Sequence, residues 1–154
     1  MLYAWIDENG TLCTTYDLEF VPDKYKTTCK IFDELSISDA DKLYVDNNEI
    51  KLKPEEMLKE EKILQIKNRL IEKVKSILNE KLSKYGYYSF GDLLFYAQAG
   101  EQEAIELLEW YRNFDEAVWN FLENEIFQKT LQELETFNDE EFLNGILQNL
   151  EFKI

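Results

Sequence analysis

The side chains of this chain that could do chemistry are carboxylates and two thiols, because the sequence contains no histidine. Histidine is the one side chain whose ordinary pKa lies near neutrality, and it is the commonest metal ligand. Without it there is no Ser–His or Cys–His nucleophile and little basis for a zinc site. The pairs Asp39/Asp41 and Asp46/Glu49 raise the possibility of a calcium loop. An EF-hand needs Gly at its sixth position and Glu at its twelfth; counted from Asp39, those places hold Tyr44 and Ile50. These acids therefore read as solvated loop residues. Cys13 and Cys29 lack the C-x-x-C spacing of metal or redox sites and read as small, reduced, buried residues. Glu101, Glu103, Glu106, Glu109 and Glu116 would act as general acids only if a cleft raised their pKa values. At their helical spacing they read as a solvated face. No catalytic, cofactor-binding or metal residue is assigned, and a protein without enzymatic activity or cofactor is expected.

Recognition chemistry is better represented. Lys84 to Glu123 gathers Tyr85, Tyr87, Tyr88, Phe90, Phe95, Tyr96, Trp110, Tyr111, Phe114, Trp119 and Phe121. So many large rings supply much buried area per residue, as packing or docking requires. Trp119, Phe114 and Phe95 are expected in the core, where large rings usually lie. Trp110 and Tyr111 differ by about 100° on a helix and cannot share one face. One of them, together with Tyr87 or Tyr88, is a candidate for partner binding, because Tyr and Trp are enriched at binding hot spots.

Charge restricts the partner. Lys and Arg number 17 and Asp and Glu 32, a net charge of −15. Phosphate backbones and anionic membrane surfaces both need the opposite sign, so neither direct nucleic-acid binding nor membrane binding is expected. The acids are unevenly placed. Residues 1–53 carry 6 basic and 11 acidic side chains, residues 54–85 carry 8 and 6, and residues 86–154 carry 3 and 15. The last region would steer a basic partner.

The elements that must position these groups divide near Pro54. Residues 1–53 read as a β-rich region. LYAWID, Glu8-Asn9-Gly10 and TLCTTY form a strand–turn–strand pattern, and KLYVD, Asn47-Asn48 and EIKLK repeat it. Pro54, Glu55 and Glu56 open a long helix that Gly86 closes. Met57, Leu64, Ile71, Leu78 and Tyr85 recur along it every seven residues, flanked by Ile63, Leu70 and Ile77. Ser89 with Asp92 caps a short helix to Ala99. A longer helix is predicted from Glu101 to about Lys129, with Ile105, Leu108, Tyr111, Phe114, Val118, Leu122 and Ile126 inward. Asn138 with Glu141 caps a last helix. The class expected is α+β, mostly α: a small N-terminal antiparallel β-meander in residues 1–53, then a long helix and a helical bundle in residues 54–154.

The order of features over residues 43–123 resembles that of phage and prophage tail-fibre assembly proteins. The shared features are Arg69 to Lys81, then Lys84, Gly86, Tyr87 and Ser89 as K-x-G-Y-x-S, then Tyr96 and Ala97. The acidic helix Glu101 to Leu108 follows, and Ala117, Val118 and Trp119 form A-V-W. Phe114, Asp115 and Glu116 stand where that family places W-R-D. The resemblance implies a tail-fibre-associated protein or fibre assembly chaperone and brings no active-site residues.

The functional expectation is a non-enzymatic tail-fibre accessory or assembly protein that works by protein–protein docking. Its partner is a tail-fibre protein or a second copy. The apolar stripe from Met57 to Tyr85 spans about 42 Å, longer than the helix ending at Ala99 can shield. Leu70 and Ile77 on it are therefore expected to dock a partner, and the 54–85 helix to serve any homo-oligomer. An acidic nucleic-acid mimic that blocks a host restriction or CRISPR enzyme is the alternative. MLYAWIDENG has an acid where a signal peptide has positive charge, so a cytoplasmic protein, in the host cell or carried on the virion, is expected.

Overall fold

The computed structural model describes residues 1–150. Helices make up 61% of it and follow a small antiparallel N-terminal part, so the class is α+β, mostly α. The chain divides into two compact units, Met1–Leu58 and a second that begins at Lys59.

In the first unit, strand β1 (Leu2–Ile6) lies between β2 (Leu12–Thr15) and β3 (Lys30–Phe32), antiparallel to both. Trp5 sits opposite Cys13, and Tyr3 sits opposite both Thr15 and Ile31. The first hairpin turns where Asp7 Oδ1 accepts from the amides of Asn9 (2.9 Å) and Thr11 (2.8 Å), with Gly10 at φ +77. A separate hairpin joins β4 (Leu43–Asp46) to β5 (Glu49–Leu52). Asn47 and Asn48 both have positive φ there, the requirement of a tight turn whose twist matches its strands. Leu2, Ala4, Leu43 and Ile50 form the core of this unit. The strands thus form a three-stranded sheet and a two-stranded hairpin, and β3 was not foreseen.

The second unit is built on α1 (Glu55–Lys84). Its first-turn acids Glu55 and Glu56 and last-turn Lys81 and Lys84 complement the helix dipole. At its end the Tyr87 amide bonds Leu82 O (3.0 Å) and the Gly86 amide bonds Ser83 O (3.1 Å), with Gly86 at φ +81. This paired closure satisfies carbonyls the helix leaves open and folds Tyr87 back into the core beside Leu82. Helix α2 (Phe90–Gln98) starts where Ser89 Oγ accepts from the Asp92 amide and Asp92 accepts from the Tyr88 amide. Gly100, at φ +89, separates it from α3 (Gln102–Glu123). Helix α3 stops at Glu123, short of the expected Lys129, and a 3-10 turn over Glu125–Gln128 follows. Helices α4 (Leu131–Glu135) and α5 (Asp139–Gln148) end the described chain.

Contacts between α1 and the α3 end of the chain run in opposite directions. Lys81 lies over the Trp110 ring at 4.7 Å, while Lys67 lies over Phe127 at 4.8 Å. The two helices are therefore antiparallel. Between them lie Ile66, Leu70, Leu107, Phe114, Leu122 and Ile126, all at or near zero exposure. Helix α5 is fastened to α1 by Arg69, whose Nε–H and Nη2–H donate to the two Asp139 oxygens at 2.9 and 3.1 Å. Phe121, Phe137 and Phe142 pack against one another beside that bond at centroid distances of 4.4–5.5 Å. Among the described residues no helix is long and apolar enough to cross a membrane.

Candidate docking surface

The inward face of α3 consists of Ala104, Leu107, Trp110, Phe114, Val118, Phe121 and Leu122. Relative to the expected face it is turned by about one residue, which places Tyr111 and Trp119 at its outer margin. Trp119 is 41% exposed and Phe95 65% exposed, so two of the three rings expected in the core lie outside it; Phe114 is inside. The turn of the face follows from Trp110. Trp110 stacks on Phe114 (centroids 5.6 Å, planes 20° apart) and takes the interior place, which forces its neighbour Tyr111 outward.

The six residues expected to bind a partner separate into different environments. Leu70 is completely buried in the core, so its expected role in docking is corrected: it faces its own chain. The buried line on α1 runs Ile66, Leu70, Val74, Leu78 and Leu82, in steps of four. Each such step turns roughly 40° about the helix, so the line departs from the seven-residue repeat. Leu64, a member of that repeat, is 59% exposed. Tyr87 and Trp110 are also buried, at 8% and 6% exposure. Tyr88, its side chain 98% exposed, stands in solvent. Half-buried Ile77 lines a shallow depression with Trp110, Leu147 and Leu150. Tyr111 belongs to a different and more apolar pocket.

That second pocket, of about 170 Å³, lies between α1 and α3. Val74, Leu78, Val118 and Leu122 form its floor, and Ile71, Tyr111 and Trp119 its rim. Tyr111, Asp115 and Trp119 follow one another at four-residue intervals, so all three project along one side of α3. Phe90 packs on Tyr111 with ring centroids 4.7 Å apart and extends the apolar surface onto α2. Phe95 and Tyr96, in edge contact at 5.3 Å, lie five and six residues further along α2 and so on other sides of that helix, Tyr96 packing on Tyr87. Burial, and after it the Asp115 carboxylate, pushes the Tyr111 hydroxyl above its ordinary pKa and holds it neutral. The pocket has two charged lining residues, Lys75 on α1 and Asp115 on α3.

Such a site can hold an apolar side chain and orient it between two charges. Among the described residues no group of three or more His, Cys, Asp or Glu is placed to hold a metal ion. Trp119, Asp115, Ile71 and Phe90 were not singled out from sequence as partner-binding residues. The four-residue row from Tyr111 to Trp119 was the available signal, legible only once Trp110 is known to point inward. No family model, curated protein or solved structure matches the chain.

Proposed function

We propose that this chain is a non-enzymatic docking protein, a tail-fibre accessory or assembly protein acting through the α1–α3 pocket. The carrying observation is Trp119: a tryptophan 41% exposed at the mouth of an apolar pocket, continuous with Tyr111 and Phe90. A single surface ring needs no explanation, but large rings around a preformed apolar pocket are the usual composition of a binding hot spot. The resemblance of residues 43–123 directs this docking reading towards a fibre subunit and a site of action in the producing cell or on the virion. A photo-cross-linking residue in place of Lys75, whose side chain is 64% exposed, tests it in cells expressing the phage genes. The expected adduct is a tail-fibre subunit, and Trp119→Ala abolishes it. An adduct with a nucleic-acid-binding defence enzyme, unaffected by Trp119→Ala and no longer formed when the cross-linking is repeated in lysate at moderate salt, overturns the proposal in favour of nucleic-acid mimicry.

A further inference from the structure

The charges around the pocket are unequal in their engagement. Lys75 already has a partner, Glu72, at 3.2 Å on its own helix. Asp115 is half-buried, and among the described residues it makes no ion pair and no side-chain hydrogen bond. Arg112, one turn earlier on α3, does not bridge to it. Covering this carboxylate with a bound partner would be costly unless the partner brought a cation. The surroundings strengthen the same preference. Between Gly86 and Gln128 the chain has nine acidic side chains against one basic, Arg112.

Size sets the apolar half of the specification. About 170 Å³ holds one leucine-, methionine- or phenylalanine-sized side chain and excludes a whole apolar helix face. Asp115 is itself part of the lining, so the cation and the anchor must come from neighbouring positions of one segment. A second copy of this chain fits poorly, since each copy has a net charge of −15 and like charges facing one another oppose association.

We infer that the α1–α3 pocket receives a single large apolar side chain from a basic segment of another protein, with a Lys or Arg within one helical turn of it meeting Asp115. This rests on the docking reading and adds the chemistry of the docked segment. Recognition is then divided. The anchor supplies burial against Val118 and Leu122, and the cation fixes polarity, because reversing the segment would set it against Lys75.

The test uses amidated alanine-rich helical peptides with one Leu and one Arg four positions later, read by the indole N–H signal of Trp119 in nitrogen-15 spectra of the full chain. The Leu/Arg peptide is expected to move that signal saturably and to leave those of Trp5 and Trp110 in place. Replacing the peptide Leu by Ala abolishes the shift. Asp115→Asn weakens binding by about tenfold, and in that variant the further change of the peptide Arg to Gln has little additional effect. Unmoved Trp110 and Trp5 signals show that Asp115→Asn is folded. Shifts spread over the acidic surface regardless of the anchor overturn the inference, as does equal affinity for Asp115→Asn. Absence of any shift at millimolar peptide does the same. If the cross-linked partner is lost with Trp119→Ala but retained with Asp115→Asn, docking stands and the basic anchor falls. A dimer in sedimentation that Trp119→Ala dissociates gives the pocket to a second copy and overturns the inference.

Discussion

Replacing Asp139 by Asn removes the charge through which α5 is held to α1 by Arg69 and, at 3.4 Å, by Lys73, while the Lys73–Glu140 pair at 2.8 Å stays. The change keeps the side chain's shape and removes its charge. Asp139 is 8% exposed and Arg69 is 43% exposed, so the pair lies between two known extremes. Exposed pairs contribute about 0.2–1 kcal/mol, and removing one partner of a fully buried pair costs about 3–5 kcal/mol. With two charge-assisted hydrogen bonds on one side and screening at Arg69 on the other, about 2 kcal/mol is expected. Asp139 also opens α5, where a negative charge adds about 0.3–1 kcal/mol through the helix dipole. The total of about 2–3 kcal/mol corresponds to a fall of roughly 4–12 °C in unfolding midpoint. The Arg69 guanidinium, partly opposed by burial, lowers the Asp139 carboxyl below its ordinary pKa. A lowered carboxylate stabilises fully above its unfolded pKa, about 3.9, and loses that contribution as pH falls through the folded value. Wild type and Asp139→Asn should therefore differ by a constant amount from pH 7 down to about 5 and converge in stronger acid. Urea titrations at a series of pH values measure this. Equal midpoints at pH 7, or a difference that persists undiminished to the lowest pH, would refute the assignment of this pair as the fastening of α5.

Phe114→Ala should cost about 3–5 kcal/mol in urea unfolding, as expected for a large ring with zero exposure. Trp119→Ala should cost about 1–2.5 kcal/mol in the same assay, because a ring 41% exposed leaves an open notch and no closed cavity. Gly86→Ala should destabilise by about 1–2 kcal/mol although nothing lies within 4 Å of the added Cβ, since φ +81 is strained for alanine; Gly86→Asn should recover part of that loss. Tyr88→Ser should leave the unfolding midpoint within about 0.5 kcal/mol of wild type, the side chain being 98% exposed.

The parts of the fold legible in the sequence are those that local chemistry dictates. Asn-Gly and Asn-Asn specify both hairpin turns through positive φ. Gly86, Ser89 and Asp92 mark the stop of α1 and the start of α2, because each feature is completed within a few residues. Strand β3 has only three residues and pairs with β1 across intervening turns. No alternation can be read over so short a run, and the pairing that makes it a strand is non-local. Similarly, α3 carries two overlapping apolar stripes that share Phe114, Val118 and Leu122. Periodicity cannot choose between Trp110 and Tyr111 as the inward ring. The choice is made by what faces them: Trp110 stacks on Phe114 of its own helix and meets the Lys81 chain from α1.

The pocket was illegible for the same reason at a higher level. Its α3 row from Tyr111 to Trp119 can be read along one helix, but its opposite wall, Ile71 to Leu78, comes from another helix of antiparallel direction. The length of the α1 stripe against the short helix α2 points to Leu70 as uncovered. Helix α3, running back along α1, covers Leu70 and leaves its neighbour Ile71 at the rim. One residue on α1 and one on α3 therefore decide which side chains belong to the core and which to the surface offered to a partner. That small offset is also why stability and binding should separate experimentally. Phe114, within the buried line, should report on folding. Asp115 is the next residue in sequence and lies about 100° away on the helix. It should report on recognition.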